Sequence, residues 1–181
     1  MPFRDESDEA LMETLRGGSA AAFQALWERH HRGLFTFLAR FLGDRGQAEE
    51  LLQETFLRVY LNRDRYRPVA AFRTWLYTIA RNLALDRLRR QGHPEAEPES
   101  AEAIPDPDPG PLRRLEARET LARLDAALAQ LTPRQREVLL LARYAGLSHA
   151  EIAEITGSSP EAVRVTLHRA LRVLRRFLSG P

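Results

Sequence analysis

The sequence of 181 residues contains no cysteine, and its basic residues include no lysine. The absence of cysteine excludes a disulfide framework, a thiolate metal site and a cysteine nucleophile. No run approaches the ~20 consecutive apolar residues that a membrane-spanning helix needs, and the acidic start MPFRDESDEALMETL lacks the basic and apolar segments of a secretory signal. We therefore expect a soluble, cytoplasmic chain, and its hydrophobic fraction of 44% is sufficient for a buried core.

The charge of the chain is divided into blocks that the net value of +2 conceals. Residues 1–90 carry a net charge of +3, residues 91–111 a net charge of −6, and residues 112–181 a net charge of +5. All 27 basic residues are arginine, a bias that a GC-rich genome explains without functional pressure. The planar guanidinium nevertheless suits bidentate binding of phosphate and of guanine edges. Two basic blocks therefore flank an acidic connector.

The connector QGHPEAEPESAEAIPDPDPGP, residues 91–111, contains six of the eleven prolines and no aromatic residue. Proline removes backbone donors and like charges repel, so this segment cannot bury enough surface to fold. We predict a flexible linker between one domain at residues 1–90 and a second domain at residues 112–181. The linker is either a simple spacer or an acidic strand that competes with nucleic acid inside a partner's channel.

Both blocks have the periodicity of helices, and no segment alternates apolar and polar residues as a strand would. In the first block, a helix from about Ala20 to Leu42 is predicted to be interrupted near Gly33. Two further helices follow, with core faces built on Ala48, Leu51, Leu52, Thr55, Phe56 and Val59 and on Phe72, Leu76, Ile79, Ala80 and Leu83. The fold class is therefore all-α, with two small helical domains.

The second block ends in a pattern typical of a helix-turn-helix. Thr132-Pro133 and Ser148 are predicted to start two helices, and Gly157 makes the turn before the last one. That last helix has an apolar stripe of Val163, Leu167, Ala170, Leu171, Leu174 and Leu178, and an arginine-rich opposite face. A short helical hairpin in a bundle core, with a merely solvated basic face, is the alternative interpretation.

The first block offers two candidate binding surfaces. An acidic patch around Leu57 lies opposite the predicted core face of its helix, and it fits either a protein-docking surface or a solvated face. The segment FRTWLYTIARNLALDRLRR, residues 72–90, interleaves aromatic residues with arginines, a combination that suits unpaired nucleic-acid bases. Core packing is the alternative for each aromatic residue, although Trp75 and Tyr77 are predicted to lie off the centre of the apolar stripe.

Catalytic motifs are missing from the sequence. Five histidines are present, but there is no HExxH pair, phosphate-binding glycine loop or paired-carboxylate motif. Helix capping accounts for His149 and Glu151 at a helix start. We therefore predict that the chain is not an enzyme and has no cofactor and no metal site.

Taken together, these segments resemble the extracytoplasmic-function (ECF) sigma factors of the sigma-70 family. AEELLQETFLRVY at 48–60 and FRTWLYTIARNLALDRLRR at 72–90 resemble domain two of that family. LTPRQREVLLLARYAGLSHAEIAEITGSSPEAVRVTLHRALRVLRRFL at 131–178 resembles domain four. The resemblance implies an alternative sigma factor that binds core RNA polymerase and directs promoter-specific transcription initiation through the −10 and −35 elements.

The resemblance also implies roles for individual residues. Docking on the coiled coil of the polymerase β′ subunit is expected of Glu50, Gln53, Glu54 and Leu57. Reading of the −10 element is expected of Arg73, Trp75, Tyr77, Arg81, Asn82 and Arg89. Reading of the −35 element is expected of Arg164, Val165, His168, Arg169 and Arg172. Further implied partners are the β flap, for the second domain, and an anti-sigma factor, while the linker is expected to thread polymerase channels.

The chain departs from the family where Glu161-Ala162 replaces a frequent Gly-Thr and where Val165 replaces a frequent serine. Valine contacts a thymine methyl group but forms no hydrogen bond to a base edge, so no relative's −35 consensus is transferable. Two rival functions are a stand-alone repressor or activator and a helical nucleic-acid-processing enzyme. The first has no use for the docking patch, and the second lacks a catalytic group.

Overall fold

The computed structural model describes residue 3 and the ranges 5–69, 71–91 and 122–179, and all regular structure in these ranges is helical, as predicted. The first block forms α1 (Asp8–Arg16), α2 (Ala20–Leu42), α3 (Arg45–Leu61), a 3-10 turn (Arg63–Arg65) and α4 (Phe72–Arg90). In the second block, residues 122–129 belong to α5, followed by α6 (Pro133–Tyr144), α7 (His149–Thr156) and α8 (Pro160–Ser179). The predicted linker lies outside the described residues except for Gln91, so its disorder stays a prediction.

The helix boundaries follow from side-chain caps. Ser7, Ser19 and Asp44 each accept a hydrogen bond from a backbone N–H in the first turn of α1, α2 and α3. Thr132 and Ser148 form full capping boxes at α6 and α7, which confirms both predicted starts. Gly157 adopts a left-handed conformation after α7, as the predicted turn requires.

Four helices share the core of the first block. The predicted core face of α3 is buried throughout, and on α4 all the predicted core residues except Ile79 are buried. Helix α1 was not predicted, yet Leu11, Met12 and Leu15 have no exposed surface. Their helical spacing, together with Ser7 as N-cap, was the signal available in the sequence.

The predicted interruption of α2 near Gly33 is wrong, because the helix is continuous from Ala20 to Leu42. A Cβ atom at Gly33 would lie 3.0 Å from the backbone oxygen of Tyr144 on α6. Glycine at this position therefore allows two helices to approach closely, and it does not break the helix.

The two blocks pack against each other, with α2 against α6 and α4 against α7. The buried residues of both blocks form one continuous hydrophobic cluster. Arg40 on α2 pairs with Asp125 on α5, and both side chains are nearly buried. Burial raises the pKa of Asp125 above its usual value, and the charge and hydrogen bond of Arg40 counteract this shift only in part. The periodicity of the sequence contained no indication of this contact between blocks.

Candidate functional site

The predicted docking residues share one face of α3. Glu50, Gln53 and Leu57 are exposed, and Glu54 is half-buried. Leu57 exposes 49% of its surface, and the same end of the helix adds two more exposed apolar residues, Tyr60 and Leu61. Arg58 Nε donates to Glu54 Oε1 over 2.8 Å, and both terminal nitrogens of Arg87 donate to Glu50 Oε2 over 3.0 Å. The face therefore combines oriented carboxylates with apolar surface.

The six predicted −10 residues are not equally accessible on α4. Arg73, Asn82 and Arg89 are exposed, Trp75 and Arg81 are half-buried, and Tyr77 is only 2% exposed. The expectation that Tyr77 lies off the core stripe is wrong. Its ring packs edge-on against Phe37 at a centroid distance of 5.4 Å, and burial raises the pKa of its phenol. The reason is that α4 contacts α2, α3 and α7, so its buried face is wider than the sequence stripe.

Part of the arginine-rich face of α4 is occupied by the second block. Arg81 Nε donates to Glu137 Oε1 on α6 over 2.5 Å, and Arg134 donates to the other oxygen of the same carboxylate over 2.8 Å. Glu137 is 5% exposed. Arg73 donates to the backbone oxygen of Ala145 over 3.4 Å. Two predicted −10 residues are therefore engaged by the chain's own second block.

Glu151 on α7 adds a second carboxylate to this contact. It accepts a hydrogen bond of 3.3 Å from the hydroxyl of Thr74 on α4 while its other oxygen serves the capping box of Ser148. Burial acts to raise the pKa of Glu151, but the hydrogen bonds from Ser148 and Thr74 and the charge of Arg73 hold it below the usual value. Sequence reasoning missed Glu137 altogether and assigned Glu151 only a capping role.

The helix-turn-helix is formed by α7 and α8. The N–H of Ser158 donates to the oxygen of Ala153 over 2.9 Å across the Gly157 turn. Val163 and Ala170 are buried against the preceding helices, but the predicted stripe residues Leu171 and Leu178 are about half exposed. The part of the stripe that packs on the core therefore comprises Val163, Leu167, Ala170 and Leu174.

The five predicted −35 residues are all exposed on α8. Near the start of the helix, Arg164 Nε donates to Glu161 Oε2 over 3.0 Å, and this contact lowers the pKa of Glu161. One turn further, Arg172 lies 3.1 Å from the Nε2 atom of His168. The structure thus places a solvent-facing basic surface on the second helix of the helix-turn-helix, the element that enters the major groove in such motifs.

The described residues contain neither a metal-binding cluster nor a membrane-spanning helix. No group of three or more His, Asp or Glu side chains there is arranged to hold a metal ion. No helix within the described ranges has the length and apolar character to cross a membrane.

Comparison with known proteins assigns the chain to a family. The family model "Sigma-70 region 2" matches residues 26–93, and the model "Sigma-70, region 4" matches residues 121–174. RNA polymerase sigma factor CarQ of Myxococcus xanthus is 40% identical over 92% of this chain and 95% of its own length. The chain belongs to the ECF group of the sigma-70 family. ECF RNA polymerase sigma factor SigE of Mycolicibacterium smegmatis is 34% identical over 97% of this chain and 69% of that relative.

Solved structures share the fold of this chain. The structure of CnrH in complex with the cytosolic domain of CnrY has a TM-score of 0.72 and 27% sequence identity to this sigma factor. The match covers 95% of this chain and 97% of the CnrH chain. RpoE of Bartonella quintana, determined in complex with the anti-sigma factor NepR, shares the fold with a TM-score of 0.69 over 87% of this chain and 96% of its own. Sigma factors are transcription initiation factors and do not themselves catalyse a reaction. The family assignment therefore supports promoter-directed transcription initiation over the two rival functions.

Proposed function

We propose that this alternative sigma factor binds core RNA polymerase through α3 and reads promoter DNA through α4 and α8. The observation that carries the proposal is the separation of three chemically different surfaces on three helices of one chain. Helix α3 presents carboxylates beside exposed apolar residues, α4 presents arginine and tryptophan, and α8 presents a basic groove-facing surface. In this proposal the protein acts in the cytoplasm, residues 1–90 and 112–181 are its domains, and residues 91–111 thread polymerase channels.

The β′ coiled coil is the proposed partner of α3. Carboxylates at Glu50 and Glu54 complement basic residues, while Leu57 supplies apolar area that gains free energy when it is covered. The second domain is proposed to bind the β flap, which leaves the helix-turn-helix free to reach DNA upstream. The arginines beside Glu50 and Glu54 orient these side chains, which reduces the side-chain entropy that is lost on binding.

Replacing Gln53 and Glu54 together by alanine is expected to prevent holoenzyme assembly. Both side chains lie outside the core, so we expect the fold to be retained. Loss of residues at the centre of an interface should weaken binding to core polymerase by about 100-fold or more, which corresponds to ~2.8 kcal/mol. Fluorescence anisotropy with core polymerase measures the affinity, and circular dichroism verifies folding. Glu49→Ala, at an exposed position of the same helix, is the control; an unchanged affinity in the double variant contradicts the docking assignment.

Base reading and phosphate attraction are proposed to occupy different parts of α8. Arg164 and Arg169 lie in the half of the helix nearest the turn, where a helix-turn-helix contacts base edges. Arg175 lies near the end of α8, where the helix leaves the groove and meets at most phosphate. All three side chains are exposed. Bidentate arginine–guanine pairs discriminate among bases, whereas phosphate contacts are independent of sequence and weaken with salt.

Arg169→Ala is therefore expected to reduce discrimination at one or two −35 base pairs by about 1–3 kcal/mol. Arg175→Ala should instead weaken binding to all sequences alike and lower the dependence of affinity on salt concentration. The measurement is a binding panel of −35 promoter variants with holoenzyme at two salt concentrations. Equal weakening of every sequence by both substitutions would make Arg169 a phosphate contact and show that the proposed register of α8 is wrong.

Promoter reading by α4 is proposed to require separation of the two blocks. Pairing with Glu137 leaves the Arg81 side chain only 17% exposed, and Arg73 donates a hydrogen bond to Ala145 at the start of the α6–α7 turn. A phosphate offers arginine the same charge-assisted hydrogen bonds as a carboxylate, so DNA can replace Glu137 once the blocks part. An anti-sigma factor that contacts both blocks is the proposed partner that favours the closed arrangement, and core polymerase the partner that favours the open one.

Glu137→Gln is expected to raise the affinity of the free sigma factor for a single-stranded −10 oligonucleotide by about tenfold. That factor corresponds to ~1.4 kcal/mol, less than the ~3–5 kcal/mol that breaking a buried ion pair typically costs. Glu154→Gln is the matched control, since it removes the same charge from an exposed position of α7. If both variants gain affinity for the oligonucleotide equally, the change in net charge alone explains the gain. The proposal that the second block covers the DNA-reading arginines of α4 is then wrong.

A further inference from the structure

Helix α4 begins without a cap of its own. Its N-cap residue, Ala71, has no side chain that accepts a hydrogen bond, and its first turn contains no acidic residue. Every other α-helix whose N-terminal end the structure describes has a Ser, Thr or Asp side chain that accepts a first-turn N–H. Uncapped N–H groups and an uncompensated helix dipole destabilise the first turn of a helix.

The missing acceptor is supplied by Glu9 from α1. The backbone N–H of Phe72 donates to Glu9 Oε1 over 3.0 Å, across 63 positions of sequence. The Glu9 carboxylate also brings negative charge to the positive end of the α4 dipole. Helix α1 lies outside residues 26–93, which match sigma-70 region 2, so this contact extends beyond the matched region.

Helix α1 is anchored firmly enough to hold this carboxylate in place. The neighbouring Asp8 has one oxygen 2.7 Å from Nε2 of His30 and the other 3.0 Å from a terminal nitrogen of Arg29. Burial acts to raise the pKa of Asp8, but its contacts with His30 and Arg29 hold it below the usual value, so the carboxylate is charged near neutrality. The apolar face of α1 is completely buried.

The first turn of α4 carries two of the proposed −10 residues, Arg73 and Trp75. The ring of Trp75 lies 5.0 Å from the buried ring of Tyr66, and Phe72 contacts both of these rings and His30. The position of Trp75 therefore depends on the exact start of the helix, since fraying at Phe72 moves the whole aromatic group. Burial, with the charges of Glu9 and Asp8, raises the pKa of Tyr66 to about 12, so this packing involves a neutral phenol.

From this geometry we infer that Glu9 is a positioning residue for promoter melting: it caps α4 and thereby fixes Trp75 and Arg73 where the −10 element opens. The inference rests on the proposed role of α4 in −10 reading. As a positioning residue, Glu9 itself does not touch DNA. Its effect is confined to the step in which a closed duplex is opened, because that step uses the first turn of α4.

The test uses holoenzyme assembled from core polymerase and full-length Glu9→Ala, on a promoter selected from random DNA with the wild-type holoenzyme. Opening is followed by the fluorescence of 2-aminopurine in the −10 element. We expect opening of duplex promoter to slow by about tenfold, the factor that corresponds to ~1.4 kcal/mol for loss of a cap. A pre-melted promoter with mismatched −10 bases should restore near-normal complex formation, and affinity for core polymerase should change by less than about twofold.

Two variants separate positioning from general destabilisation. Glu9→Gln keeps an oxygen acceptor for the Phe72 N–H and should retain most of the opening rate. Glu13→Ala removes an exposed carboxylate from the same helix and should leave opening unchanged. The proposal is overturned if Glu9→Ala opens duplex normally, or if it lowers core binding and complex formation on pre-melted DNA as much as it slows opening.

Trp75→Ala distinguishes this inference from the function on which it rests. If Trp75→Ala slows opening and Glu9→Ala does not, the role of Glu9 is wrong while the −10 role of α4 stands. If Trp75→Ala leaves opening unchanged, the proposed −10 role of α4 is wrong, and the inference about Glu9 falls with it.

Discussion

The fold and the proposed site both depend on carboxylates from other elements that bind one positively charged helix. Helix α4 contains five arginines and a single acidic residue, Asp86. Its start is capped by Glu9 of α1, its middle is paired with Glu137 of α6, and its last turns are paired with Glu50 of α3. Glu151 of α7 adds a contact to Thr74. These contacts connect both blocks to the helix proposed to read melted DNA.

These contacts differ in how much they contribute to the stability of the fold. Glu137 is nearly buried between two guanidinium groups, so removing its charge leaves arginine without compensation in a poorly solvated place. The Glu50–Arg87 pair is largely exposed and contributes little to stability. This difference fits their proposed uses: the exposed pair orients a docking residue, while the buried pair keeps two domains together until a stronger partner competes for Arg81.

Local features of the fold could be predicted from the sequence, and long-range contacts could not. The capping boxes at Thr132 and Ser148 and the buried face of α3 follow from residues within one or two turns of each other. Glu137 lies 56 positions from Arg81, and Glu9 lies 63 positions from Phe72, so no periodicity relates them. Tyr77 and Gly33 were misassigned for the same reason, since their surroundings come from other helices.

We propose that the two blocks separate when the sigma factor joins core polymerase. The natural sequence has no cysteine, so Ala21→Cys on α2 and Arg143→Cys on α6, both exposed positions, give two unique spin-label sites. Pulsed electron paramagnetic resonance then measures the distance between the blocks. Separation of the blocks predicts one narrow distance distribution in the free protein and a shifted, longer distance in holoenzyme. The same narrow distribution in both states would contradict it.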